Sequence, residues 1–167
     1  RKDLPQIKAI ANWIDTHCAE GEISYMIPHD TLYCPDHFKN CQLPATPIND
    51  KLAFGFSVPG THNFPMQFFE AKYVLTADPF PLTHVNDPEN EMSHKLNERF
   101  LAVRDEYFEQ EATFDMGNGT TFTIWRRTVA PTRAEVEYYL SAFTEEDAKY
   151  PEMFSEIAES WLAARGL

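Results

Sequence analysis

Residues 108–128 read FEQEATFDMGNGTTFTIWRRT, and this stretch decides the class of the fold. Its centre, Gly-Asn-Gly at 117–119, has the composition of a tight turn, because glycine and asparagine adopt positive φ at little cost. After the turn, the order Thr-Phe-Thr-Ile-Trp (121–125) alternates polar and apolar residues, as in a strand with one packed face. The stretch therefore predicts a β-hairpin with strands over 108–116 and 120–128.

Upstream of the hairpin, helical and strand patterns alternate along the chain. The helical segments show apolar residues at 3.6-residue spacing and begin with proline or acidic residues, which suit a first turn. The strand segments are short apolar runs, and two of them end at or just before proline. The predicted helices cover 5–19, 35–40 and 87–103, and the predicted strands cover 22–27, 52–58 and 68–76, with a loop over 59–63.

Two further helices are predicted after the hairpin. Thr132 and Glu135 have the spacing of a capping box, in which each side chain satisfies the backbone amide of the other residue. The last helix is predicted to begin at Pro151 and to end before Gly166. Aromatic residues of these helices fit core packing, and a docking face for a partner is the alternative. They are Tyr138, Tyr139, Phe143, Phe154 and Trp161.

The order of these elements predicts the fold class. Strands that alternate with helices, followed by a hairpin, indicate a three-layer α/β domain with a mixed sheet, a C-terminal β-hairpin and two terminal helices. The length of 167 residues suits about one domain. We assign residues 1–130 to an α/β domain and residues 131–167 to a helical pair packed on the same domain.

The charge balance excludes one class of partner. Fourteen Lys and Arg against 26 Asp and Glu give a formal charge of −12, and such a surface repels phosphate backbones. We therefore expect no nucleic-acid partner. No apolar run approaches the ~20 residues of a membrane span. The chain begins at Arg1 without a signal-peptide pattern, so we expect it to be a piece of a longer protein.

Residues 29–41 concentrate side chains that can bind metals. The segment holds two His, two Asp and two Cys within 13 residues, and Cys34, His37 and Cys41 are the candidate ligands. Their spacing matches the recurring ligand pairs of zinc sites only loosely, so a polar surface loop is the favoured interpretation. A disulfide between Cys34 and Cys41 is one alternative within that loop, and reduced thiols are the other.

Polar side chains also follow two of the predicted strands. His29 and Asp30 come directly after the first strand, Asp78 follows the third, and His84 lies shortly beyond it. Ligands of α/β sheets collect beyond the carboxyl ends of the strands, so these four residues predict a rim that binds a polar ligand. The alternative is that Asp30 and Asp78 only cap turns. No phosphate-binding glycine loop and no Gly-x-Ser-x-Gly motif occurs, and we assign no catalytic residue.

Several motifs in this order resemble a known family. Residues 71–80 read AKYVLTADPF, a turn with His84 and a Pro-Glu helix start follow, and residues 114–127 read FDMGNGTTFTIWRR. This resembles the soluble C-terminal region of some bacterial polytopic membrane glycosyltransferases, of the protein O-mannosyltransferase and aminoarabinose-transferase class. The similarity covers roughly residues 7–127.

The resemblance implies a place and a role. It implies a domain on the extracytoplasmic face of the bacterial cell membrane, after a last membrane helix before Arg1. Enzymes of this class use polyprenyl-phosphate sugar donors, and their catalytic carboxylates lie in loops of the membrane portion. The expected function is therefore that of an accessory, non-catalytic domain of the cell envelope, without a cofactor. Its expected partners are the membrane portion of its own chain and a glycan or protein acceptor.

Two other functions are kept as alternatives. A metal-dependent hydrolase would use the cluster between His29 and Cys41. A protein-interaction module would dock through the aromatic residues of the terminal helices.

Overall fold

A computed structural model describes residues 1–41, 48–55, 57–58, 61–62, 64–81, 88–144 and 153–167. Its helices are α1 (Leu4–His17), α2 (Pro35–Asn40), α3 (Met66–Glu70), α4 (Pro88–Tyr107), α5 (Arg133–Thr144) and α6 (Met153–Arg165). Its strands are β1 (Ser24–Met26), β2 (Leu52–Phe54), β3 (Ser57–Val58), β4 (Thr61–His62), β5 (Tyr73–Asp78), β6 (Phe108–Asp115) and β7 (Thr121–Arg127).

Within these residues, five strands form one mixed sheet in the order β2-β1-β5-β7-β6. Strand β1 pairs in parallel with β2 and with β5. Strand β7 pairs antiparallel with β5 and with β6, and the β6–β7 pair is the predicted hairpin. The predicted α/β class with a mixed sheet, a hairpin and two terminal helices is confirmed.

The sheet has helices on both faces. Strand β5 alternates between two buried clusters, with Tyr73 and Leu75 in one and Val74 in the other. The first cluster holds the buried stripe of α1 together with Phe38 of α2. The second holds residues of α3, α4, α5 and α6, among them Phe68. The layers are therefore α1 and α2, then the sheet, then α3 to α6.

The aromatic residues of the two terminal helices belong mostly to the core. Tyr139, Phe143 and Phe154 are fully buried, and Trp161 is 9% exposed. Tyr138 is half-buried beneath the guanidinium of Arg99. The core-packing interpretation is thus confirmed, and these rings do not form an exposed docking face. Of the helices described, none combines the length and the apolar character that crossing a membrane requires.

Three predicted elements differ from the structure. Residues 68–70, predicted to begin a strand, belong to helix α3, because the helical turn buries both Phe68 and Phe69 in the core. The predicted strand over 52–58 is two short strands, interrupted after Phe54. Thr61–His62, predicted as loop, pairs with Ser57–Val58. The predicted helix start at Pro151 lies outside the described residues.

The predicted capping box is formed at the start of α5. The Thr132 hydroxyl accepts a hydrogen bond from the backbone N–H of Glu135 at 3.1 Å, as predicted. The Glu135 carboxylate reaches back to the backbone N–H of Thr132, a hydrogen bond that acts to lower the pKa of Glu135. It also accepts hydrogen bonds from Arg127, because the last strand of the hairpin places that cation beside the first turn of α5.

Candidate functional site

The predicted rim lies at the carboxyl edge of β1 and β5. These strands are parallel neighbours, and Ile27 continues their pairing by donating its N–H to the carbonyl of Leu75 at 3.1 Å. His29 is half-buried beyond β1, and Asp78 is exposed at the end of β5. The sheet thus places both residues at one edge, as predicted. His84 lies outside the described residues.

Asp30 shapes the loop that follows β1. Its side chain is buried, with 6% of the residue exposed. Carboxylate atom Oδ1 accepts hydrogen bonds from the backbone N–H groups of Leu32 at 2.9 Å and Tyr33 at 2.6 Å. This is the turn-capping role that aspartate commonly has. The turn interpretation of Asp30 is confirmed.

The same loop is tied to two distant parts of the chain. The amide of Asn118, in the hairpin turn, donates a hydrogen bond to the Tyr33 hydroxyl at 2.7 Å. From the other side, the Arg1 guanidinium lies 5.4 Å from the centre of the Tyr33 ring and bonds the carboxylate of Asp3 at 2.7 Å. That hydrogen bond holds the pKa of Asp3 below its usual value. These contacts therefore hold the loop after β1 to the hairpin turn and to the N-terminal residues.

The predicted metal ligands are not assembled into a site. Arg1 places Nη1 at 2.9 Å from Nδ1 of His37, and a cation at this distance opposes metal binding. The Cys41 thiol donates to the carbonyl of Phe38 at 3.0 Å, and burial raises its pKa, which disfavours the thiolate that zinc requires. Among the residues that the structure describes, no group of three or more His, Cys, Asp and Glu side chains could hold a metal ion.

Of the two alternatives for Cys34 and Cys41, the structure shows the reduced thiols and not the disulfide. Helix α2 lies between the two residues, and at 1.5 Å rise per residue it separates their Cα atoms by about 10 Å. A disulfide tolerates a Cα separation of only about 7 Å. Both residues are free thiols, as is the buried Cys18. The sulfur of Cys34 instead lies 4.0 Å from Nε2 of His29.

A cavity of about 640 Å³ lies along β2, the strand at one edge of the sheet. Its wall combines apolar residues of β2 and α3 with polar side chains from β1, from α2, from the turn before β2 and from α3. The polar residues are Tyr25, Lys39, Asn49, Asp50 and Gln67. Sequence analysis missed these residues, because nothing in their spacing indicates that β2 is an edge strand.

Phe54 joins this cavity to the rim. Its ring lines the cavity, and its centre is 5.5 Å from that of the His29 imidazole. The ammonium of Lys39 lies over the same ring at 4.8 Å from its centre, a cation–π contact. The predicted rim residue His29 and the observed cavity are therefore parts of one surface.

Tyr25 and Gly55 make the closest approach in the cavity wall. Tyr25 is 1% exposed, and its hydroxyl has no hydrogen-bond partner within the described part of the chain. Burial raises the pKa of Tyr25, so the group keeps its proton. A Cβ atom on Gly55 would lie 2.5 Å from the hydroxyl oxygen. Glycine is required here because no side chain fits against the phenol.

Comparison of the chain with models of known protein families, with curated proteins and with solved structures yields no match.

The contact between Tyr25 and Gly55 makes a prediction for stability. Gly55→Ala is expected to lower the free energy of unfolding by about 1–3 kcal/mol, because the added methyl group overlaps the phenol oxygen. Tyr25→Phe removes that oxygen and is expected to restore most of the loss in the double variant. Urea denaturation of the four proteins of this cycle measures the coupling. Strictly additive effects would contradict the contact.

Proposed function

We propose that the chain is an accessory, non-catalytic domain on the extracytoplasmic face of a bacterial membrane-embedded glycosyltransferase that uses a polyprenyl-phosphate sugar donor. In this proposal the domain holds a glycan or protein acceptor, or a neighbouring loop of the membrane portion of its own chain. Sugar transfer itself takes place in that membrane portion. The similarity of residues 71–84 and 114–127 to that class of enzymes supports the assignment.

One observation at the carboxyl edge supports binding rather than catalysis. Oδ1 of the buried Asp30 carboxylate accepts hydrogen bonds from two backbone N–H groups of its own loop, which is a structural role. The cavity along β2, joined to the rim through Phe54 and His29, offers the amides of Asn49 and Gln67 together with the charged groups of Lys39 and Asp50. Polar groups of this kind on a cavity wall orient a bound ligand.

The rim makes the first test of this proposal. In the full-length membrane protein, the double variant His29→Ala/Asp78→Ala is expected to lower sugar transfer by about tenfold, as the loss of a polar contact to an acceptor would. His29 is half-buried and Asp78 is exposed, so the variant should remain folded. Transfer is measured with labelled donor in membranes, and the thermal unfolding of the purified domain checks the fold.

The matched control is Asp105→Ala. This carboxylate lies near the end of α4 with 87% of its side chain exposed. Its loss is expected to leave transfer unchanged. Equal transfer in the rim variant and the control would contradict a role for the rim. Asp30→Ala is unsuitable as a test, because it removes two hydrogen bonds that shape the fold.

The coding sequence upstream of Arg1 makes a second test. We expect it to encode repeated apolar segments of about 20 residues each, as membrane helices require. An ordinary soluble domain in that position would contradict the membrane assignment.

A further inference from the structure

Among the described residues, those that line the cavity along β2 carry no net charge. Lys39 contributes one cation and Asp50 one carboxylate, while Asn49 and Gln67 contribute neutral amides. We propose that this cavity binds an uncharged carbohydrate, a hexose or a short neutral glycan. The biological role of that glycan rests on the function proposed above, whereas its binding rests on the cavity alone.

The polar groups of the wall suit hydroxyl groups that both donate and accept hydrogen bonds. Each amide of Asn49 and Gln67 presents an acceptor oxygen and two N–H donors, and the Asp50 carboxylate accepts only. Adjacent hydroxyls of a sugar can satisfy such groups in pairs. The ring of Phe54 and the side chain of Met66 supply the apolar part of the wall, against which the C–H face of a sugar can pack.

The Tyr25 hydroxyl is the observation that points to a missing partner. It is a protonated donor, fully buried at the wall of the cavity, and no group of the described residues accepts its hydrogen bond. Buried polar groups in native proteins almost always have a partner, and an unpaired one costs free energy. Tyr25 and Gly55 both line the cavity, so a small displacement of the backbone at Gly55 would let a ligand hydroxyl supply the acceptor.

The surrounding charges disfavour an anionic ligand. Of the described residues that line the cavity, Lys39 is the one cation, and its ammonium is already engaged over the ring of Phe54. Asp50 on the same wall repels a phosphate or carboxylate, as does the formal charge of −12 on the whole chain. The neutral sugar therefore fits better than a sugar phosphate.

The test uses the 167-residue chain and ligand-observed NMR with defined probes. The probes are maltotriose, mannotriose and N,N′,N″-triacetylchitotriose, and glucose 6-phosphate is the anionic comparison. At least one neutral trisaccharide is expected to bind with a dissociation constant in the millimolar range, and the phosphate is expected to bind more weakly. Tyr25→Phe is expected to weaken the binding about tenfold without lowering the unfolding temperature.

Tyr139→Phe is the matched control. Its hydroxyl is also buried without a partner among the described residues, but Tyr139 does not line the cavity. The control is expected to keep full affinity. Equal affinity in Tyr25→Phe and the parent, tighter binding of the phosphate, or no binding of any neutral probe would each overturn the inference. Because transfer by the rim variant is measured separately, a chain that binds no sugar can still be an accessory domain, and the converse also holds.

Discussion

Replacing Arg127 with methionine is expected to lower the free energy of unfolding by about 3–5 kcal/mol at neutral pH, because it leaves a buried carboxylate without its counter-charge. Arg127 Nη1 lies 3.0 Å from both carboxylate oxygens of Glu135. Only 8% of the Arg127 side chain and none of the Glu135 side chain is exposed. Urea denaturation followed by tryptophan fluorescence measures the loss.

Methionine is the informative replacement because Arg127 also packs against aromatic rings. Its guanidinium carbon lies 4.4 Å from the centre of the Phe108 ring and 5.9 Å from that of Phe68. Its Nε and Nη2 atoms have no hydrogen-bond partner in the described part of the chain, so the ion pair and the rings hold the group. Methionine retains much of the apolar stem and removes the charge.

The loss caused by Arg127→Met should depend on pH in a defined direction. Burial raises the pKa of Glu135, while the Arg127 guanidinium acts in the opposite direction. A carboxyl with a raised folded-state pKa contributes stability below its unfolded pKa, and this contribution is lost as pH rises through the folded pKa. Removing Arg127 raises the pKa of Glu135 further. The difference from the parent should therefore be largest at neutral pH and shrink in acid.

Two variants control this prediction. Arg126→Met removes the neighbouring cation, which is 39% exposed and pairs with Glu109 and Glu111, and should cost about 0–1 kcal/mol. The double variant Arg127→Met/Glu135→Leu should recover much of the loss, because it leaves no buried charge. Equal losses in Arg126→Met and Arg127→Met would show that burial of the pair is unimportant.

As a separate variant, Phe122→Ala is expected to lower the free energy of unfolding by about 3–5 kcal/mol, because it opens a cavity in the core. Phe122 is fully buried in β7. Its ring contacts those of Tyr33 at 5.0 Å and Phe38 at 5.6 Å between centres. The substitution therefore detaches the hairpin from both the loop after β1 and helix α2.

Phe114→Ala is the matched control on the other strand of the hairpin. Phe114 pairs directly with Phe122 across the ladder but is only partly buried. Its loss is expected to be smaller, about 1 kcal/mol. Both variants are compared by urea denaturation. Equal losses would mean that the cluster between the hairpin and α2 contributes little.

Elements with a strong local pattern were predictable. The hairpin was predictable because Gly-Asn-Gly allows the positive φ that Gly117 and Gly119 both adopt. The alternation of residues along β7 also matches its packed face. Helices α1 and α5 followed from apolar residues at helical spacing. Each of these elements can be predicted from residues that are close together in the sequence.

Predictions failed where a distant residue decides the outcome. Residues 68–70 have the composition of a strand, but burial of two phenylalanines against the far face of the sheet makes them helical. The ion pair that Arg127 makes with Glu135 is likewise not indicated by the capping-box spacing of Thr132 and Glu135. Arg1 reaches His37 across 36 positions of the chain.

Local pattern by itself determined the α/β class, the hairpin and the amphipathic helices, since each depends on bonds and periodicities within a few residues. Only the tertiary structure decided that β2 lies at the edge of the sheet. The same packing forms the cavity between Lys39 and Gln67 and leaves the Tyr25 hydroxyl without a partner among the described residues. Strand order depends on which buried faces pack together across the whole chain, and the spacing of neighbouring residues does not predict it.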